Sequence, residues 1–169
     1  LGRYYEVAQG HQIETIVRVT GDCPLIDPVL IDRMLTVYGA MTTQPEHLGI
    51  GEESFWPDGQ DCEVLPFRAL QIAHDEATVG SDREHVTPFL YHHPERFLCR
   101  TLPCPFNLSQ QGYSVDTEED LYLTSILLNR CLTQYGPRFG WRDIHTVLQT
   151  HGLARRLHKA RGPRNAAYK

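Results

Sequence analysis

No C-x-x-C pair, no G-x-S-x-G elbow, no Walker-type G-x-x-x-x-G-K-[ST] loop and no G-x-G-x-x-G run occurs in these 169 residues. Their absence removes the common serine-hydrolase, P-loop and dinucleotide-binding readings. The five cysteines (Cys23, Cys62, Cys99, Cys104 and Cys131) are odd in number and scattered. They read as reduced thiols and give neither a disulfide framework nor a zinc ribbon; Cys99 and Cys104 with His92 and His93 fit no standard finger spacing. There is no excess of Lys and Arg, 16 against 21 Asp and Glu for a formal net charge of -5, which argues against a nucleic-acid or anionic-membrane partner. No stretch approaches the roughly 18–20 consecutive apolar residues of a membrane span, and Leu1-Gly2-Arg3-Tyr4-Tyr5 lacks a signal-peptide pattern, so a cytoplasmic location is the expectation. Internal repeats and low-complexity tracts are lacking too.

What is present suits one soluble domain: 41% of residues are hydrophobic and 22% charged. The expected division is an α/β domain over 1–150 and a basic tail over 151–169. Leu1 to Gln9 has a helical apolar spacing. Thr15 to Thr20 is a short β-branched strand ended by Gly21-Asp22-Cys23-Pro24. Asp27 is placed as N-cap of a helix opening on Pro28, and Gly39 to Asp61 reads as a long loop with a short strand near His47 to Ile50. A strand over 61–65 and a helix over 66–78 follow. Ser81 and Glu84 have capping-box spacing, and 97–101 reads as an edge strand. The short apolar stretch Gly112 to Val115 leads to Asp116, Thr117 caps a long helix over 118–135, and 141–150 forms another.

Two acidic turns carry the chemistry. Asp22 and Asp116 each end an apolar, β-like run, and the carboxyl ends of neighbouring strands in an α/β sheet open onto the ligand crevice. Two hard oxygen donors there suit magnesium, which is commonly held by one or two carboxylates with substrate phosphates and water. The plain alternatives are an Asx-turn stop for Asp22 and a carboxylate complementing the helix dipole for Asp116. Glu118, Glu119 and Asp120 read as dipole partners. Asp61 and Glu63, two apart on a strand, fall on one side, where they can receive sugar hydroxyls or a second metal. Arg83 offers a guanidinium for phosphate or carboxylate, and His85 an imidazole.

Several segments in order resemble the cytidylyltransferases of the spore-coat polysaccharide biosynthesis type, relatives of the acylneuraminate and 3-deoxy-manno-octulosonate cytidylyltransferases. They are Arg18-Val19-Thr20-Gly21-Asp22-Cys23-Pro24-Leu25-Ile26-Asp27-Pro28, Phe55-Trp56-Pro57-Asp58-Gly59-Gln60-Asp61-Cys62-Glu63-Val64, Arg83-Glu84-His85-Val86-Thr87-Pro88, Val115-Asp116-Thr117-Glu118-Glu119-Asp120-Leu121, and Arg164-Asn165 with Tyr168. The resemblance implies a three-layer α/β/α nucleotide-diphospho-sugar transferase fold with a mostly parallel mixed sheet, lacking its first strand and basic phosphate loop because the chain starts after them. It implies transfer of CMP from CTP to a sugar or sugar acid with release of pyrophosphate, for surface glycan synthesis. Asp22 and Asp116 would be the catalytic, magnesium-holding pair. Asp58, Asp61 and Arg83 would lie toward the sugar or the dimer contact, and with Arg18 they make up the expected substrate-binding set. A homodimer is expected. Where relatives often carry Arg before the Trp or Leu of the second acidic motif, this chain has Gly112 before Tyr113. A glycosyltransferase of similar fold and a non-catalytic remnant pairing with a complete subunit stand as the other readings.

Overall fold

The computed structural model describes residues 1–50 and 54–152. The remainder of the basic tail, with Arg164, Asn165 and Tyr168, lies outside the described residues. The fold is mixed α/β. Helix α1 (Gly2–Gly10) precedes strand β1 (Thr15–Val19), helix α2 (Pro28–Ala40), strand β2 (His47–Gly49) and strand β3 (Cys62–Pro66). Helices α3 (Phe67–Glu76), α4 (Gly80–His85) and α5 (Pro88–Tyr91) come next, then strand β4 (Cys99–Thr101) and helices α6 (Glu118–Tyr135) and α7 (Trp141–Thr150). The four strands form one sheet in the order β1-β3-β2-β4. β2 runs parallel to β4, pairing Leu48 with Arg100, but antiparallel to β3, pairing Leu48 with Val64. The sheet is therefore mixed, as expected; the antiparallel pairing of β2 with β3 needs no helical crossover between them.

The chain divides into two compact units. Of the described residues, the first comprises 1–18, 33–50 and 62–102; the second comprises 19–32, 54–61 and 103–152. In the first, Leu65, Ala69, Leu70, Ala73, Phe89 and Leu90 anchor the core. The Tyr5 ring of α1 stacks on His74 of α3 at 4.1 Å between centroids. In the second, Leu123 and Leu127 of α6 and Ile144, Val147 and Leu148 of α7 pack around Leu25 and Tyr113. α6 buries 123, 127 and 131, the i, i+4, i+8 stripe, while Leu121 and Leu132, at the other apolar positions, are exposed.

The caps follow local chemistry. Asp27 Oδ1 accepts from Val29 N at 2.8 Å, the N-cap bond that opens α2 on Pro28. Thr117 and Asp120 close a reciprocal capping box at α6. The box expected from Ser81 and Glu84 does not form. Helix α4 begins a residue earlier, at Gly80, with Val79 as its N-cap and no side-chain cap bond. The stretch before Asp116 is no strand of the sheet; it makes an isolated bridge between Asp58 and Gly112.

Candidate active site

The second unit gathers three segments around its acidic residues. The first is the turn after β1. Cys23 N donates to Thr20 O and Ile26 N to Cys23 O, which folds Gly21-Asp22 outward and leaves Asp22 exposed. The second is Pro57-Asp58-Gly59-Gln60-Asp61, and the third runs from Gly112 to Asp116. Val115 N donates to Asp22 O at 2.8 Å, so the two aspartyl turns share a backbone hydrogen bond. Asp58 N donates to Gln111 O and Tyr113 N to Asp58 O, which stitches the middle segment to the third. Ser114 Oγ adds a bond to Asp58 Oδ2 at 3.2 Å.

Gly59 makes that approach possible. Its φ is +103°, and a Cβ there would stand 2.8 Å from Tyr113 Cδ2 and 2.9 Å from Ser114 N. Asp61 Oδ2 accepts from Gly59 N at 2.9 Å and from the Cys23 thiol at 3.5 Å. Burial, helped by the Asp61 carboxylate, pushes the Cys23 thiol up, so it stays protonated and acts as a donor to carboxylates. Asp116 is exposed at the entry to α6. The buried Asp120 accepts from the backbone N–H groups of Asp116 and Thr117 and from the Thr117 hydroxyl. Asp120 is thereby committed to the helix start, and Glu118 and Glu119 remain exposed in its first turn.

Asp22, Asp58, Asp61 and Asp116 thus belong to one unit. Arg18 and Arg83 belong to the other. Arg18 Nη1 pairs with Glu63 Oε2, and its guanidinium lies over the Tyr4 ring at 5.7 Å. Glu63 Oε1 also takes the Thr87 hydroxyl at 2.7 Å and His47 Nε2 at 3.0 Å. Burial opposes the charged form of both groups. Bonds from His47, Arg18 and Thr87 nonetheless hold Glu63 below the usual carboxylate range, and those to Cys99 and Glu63 raise His47 to about 9. Arg83 Nη1 donates to the carbonyls of Ala77 at 2.9 Å and His74 at 3.2 Å, where it satisfies the end of α3. β3 begins at Cys62, one residue after Asp61, so of the two carboxylates expected on one side of a strand only Glu63 lies within it; Asp61 bonds to Gly59 N and the Cys23 thiol, and Glu63 pairs with Arg18.

The donor types at the aspartyl turns suit a hard divalent cation: two solvent-facing carboxylates on turns joined by the Val115–Asp22 bond. Among the described residues no three His, Cys, Asp or Glu side chains form a ready-made metal cage. The remaining ligands of such a cation would come from water and from the substrate.

Residues 1–126 match the sequence model of the Cytidylyltransferase family. The chain belongs to the cytidylyltransferase family. The matched span contains all six site positions read from the sequence, Arg18, Asp22, Asp58, Asp61, Arg83 and Asp116. The chain is 32% identical over 130 residues to an uncharacterized protein of Methanocaldococcus jannaschii, covering 73% of this chain and 49% of that one. It is 29% identical over 127 residues to the spore coat polysaccharide biosynthesis protein SpsF of Bacillus subtilis, covering 71% and 49%. The fold is similar to that of a cytidylyltransferase from Leptospira borgpetersenii, with a TM-score of 0.81 at 26% identity over 90% of this chain and 63% of the other. The chain therefore spans about half the length of the curated relatives it matches.

One buried residue among these segments has no functional mark in the sequence. Gln60 is fully buried and hydrogen-bonds to three groups of the neighbouring segments. Its one local signal is a polar side chain between Gly59 and Asp61 in a turn that also holds Trp56 and Pro57.

Proposed function

We propose that this protein transfers CMP from CTP to a sugar or sugar acid, with Asp22 and Asp116 holding magnesium on the triphosphate. The observation that carries the reading is the bond from Val115 N to Asp22 O, which puts both aspartyl turns side by side in a chain of the cytidylyltransferase family. Magnesium, when bound, supplies charge neutralisation on the leaving pyrophosphate. The residues of the chain orient the reactants. Asp22 and Asp116 present fixed oxygens at the triphosphate, and Asp58 and Asp61 offer acceptors for sugar hydroxyls. The sugar oxygen forms a bond to the α-phosphorus, the bond to the bridging oxygen of the β-phosphate breaks, and the hydroxyl proton passes to solvent. Arg18 and Arg83 support the scaffold through Glu63 and the end of α3 rather than meeting substrate first. Formation of a CMP-sugar for surface polysaccharide, in the cytoplasm and by a homodimer, completes the proposal.

The test is pyrophosphate release from CTP with magnesium and a panel of sugars and sugar acids, using this chain and a protein of its relatives' full length. Asp22→Asn and Asp116→Asn are each expected to lower the rate at least about tenfold, a barrier increase of roughly 1.4 kcal/mol. Unchanged turnover in both variants refutes the metal assignment. Release of a nucleoside diphosphate from a preformed nucleotide sugar would indicate a glycosyltransferase instead.

A further inference from the structure

The geometry points to Gln60 as a positioning residue: its buried side-chain amide ties the turn that follows Asp22 to the segment that leads into Asp116, and so sets the spacing of the two carboxylates. This rests on the reading above for its functional half, while the positioning itself is a statement about hydrogen bonds within one unit.

Gln60 has no exposed surface. Its Oε1 accepts from Asp27 N at 2.9 Å, and its Nε2 donates to Leu25 O at 2.9 Å and to the Tyr113 hydroxyl at 2.8 Å. The amide cannot be turned over, because Oε1 would then face a carbonyl and Nε2 an N–H. Both of its N–H donors and one acceptor position of Oε1 are directed at two other segments, one on each side. Leu25 and Asp27 lie three and five residues after Asp22; Tyr113 lies three before Asp116. Both neighbouring segments are themselves fixed. Asp27 Oδ2 accepts from Trp141 N at 3.0 Å, and Thr124 Oγ1 donates to Tyr113 O at 3.3 Å. Tyr113 is almost completely buried, its hydroxyl held neutral by that burial, so it remains a hydrogen-bonding partner for the amide throughout the working pH range.

Among the hydrogen bonds described, Val115 N to Asp22 O joins the aspartyl turns directly, while the Cys23–Asp61, Tyr113–Asp58 and Ser114–Asp58 bonds link them through the middle segment that carries Gln60; both carboxylates are exposed. A leucine in place of Gln60 would keep the volume and leave Asp27 N, Leu25 O and the Tyr113 hydroxyl without their partner in a buried place, where each is costly. The segments would relax away from it, and the Val115–Asp22 bond lies between them. A residue that merely filled the core would show no such directional coupling.

Amide hydrogen exchange on the folded protein reads the effect. In Gln60→Leu the Val115 amide is expected to exchange at least tenfold faster relative to the Ile144 amide of α7, whereas Leu127→Ala, a cavity in the same core that leaves the amide network intact, accelerates the two alike. Equal acceleration of Val115 and Ile144 in Gln60→Leu overturns the inference. Should that variant not fold, Tyr113→Phe, which removes one of the three bonds, carries the same test with an expected selective change of about threefold; no selectivity there overturns it as well. Manganese broadening of amide signals, with Mn2+ as the probe, locates any failure. Joint broadening at Asp22 and Asp116 in the unsubstituted protein, with an apparent affinity at least fivefold weaker in Gln60→Leu, supports the assignment in full. No joint broadening despite a selective exchange effect sinks the metal reading and leaves the positioning of the turns in place.

Discussion

Gly59 is a position where one atom decides whether three segments can meet. Its positive φ is strained for any L side chain, and a Cβ would press on both the Tyr113 ring and the Ser114 backbone at under 3 Å. Gly59→Ala is expected to cost about 2 kcal/mol or more, the strain of an unfavourable backbone plus displacement of a neighbouring main chain. Urea unfolding followed by tryptophan fluorescence checks it, since Trp56 and Trp141 meet edge to face within the same unit at 5.1 Å. A loss under about 0.5 kcal/mol would show that the turn relaxes without consequence. The same scale separates aspartates by their burial. Asp27 and Asp120 are buried and bound to backbone N–H groups, whereas Asp22 and Asp116 are exposed.

Among the elements, the sheet carries a polar hub on β3, and its charges give the first unit a signature in pH. His47 rises in the folded state from its ordinary 6.5 to about 9. A raised folded value means that the contribution is complete below pH 6.5 and is lost as pH climbs through about 9. That loss is on the order of 3 kcal/mol by linkage. Glu63, lowered in the folded state, acts at the other end: its contribution is present above the ordinary carboxylate range and disappears as pH falls. Urea midpoints of the first unit are expected to fall between pH 6.5 and 9, and His47→Gln to flatten that limb. A slope unchanged by the substitution would remove His47 as its source.

Legibility in the sequence follows from whether a signal is local. Helices α6 and α7 are readable to the residue because their caps and apolar spacing lie within the segments themselves. Asp27 and Thr117 are readable as caps for the same reason. Ser81 and Glu84 have the right spacing and no box, because α4 begins at Gly80 and leaves Ser81 inside the helix. The run before Asp116 has the composition of a strand, but its pairing is decided by Asp58, more than fifty residues away in sequence. The protein partners of Arg18 and Arg83 are not visible in the sequence, because they lie far along the chain or in the backbone: Glu63 for Arg18 and the carbonyls ending α3 for Arg83. The aspartyl turns are legible as residues, and their nearness is expected from strand ends; the bonds that join them, from Val115 N to Asp22 O and through Gln60, have no local signal in the sequence.

At the level of the whole molecule, a net charge of -5 sets a problem for a triphosphate substrate. Four of the chain's negative charges, Asp22, Asp58, Asp61 and Asp116, fall in the candidate site, and the divalent cation proposed above would offset their repulsion of the anion. Removal of magnesium is therefore expected to weaken CTP binding at least about tenfold, roughly 1.4 kcal/mol, in calorimetric titrations with and without chelator. Equal affinity in both would indicate a cationic cradle rather than a metal. No helix among the described residues is long and apolar enough to cross a membrane.

The Asp27 carboxylate, finally, sets a timetable. One oxygen closes a bond two residues away and the other reaches Trp141 N, 114 positions along the chain. Contacts of such sequence separation form late, because a long loop must close before they return anything. A ribosome that has made everything up to α6 has not yet supplied the partner of that second oxygen. Nascent chains halted before Trp141 would therefore emerge with their acidic pocket still unfinished.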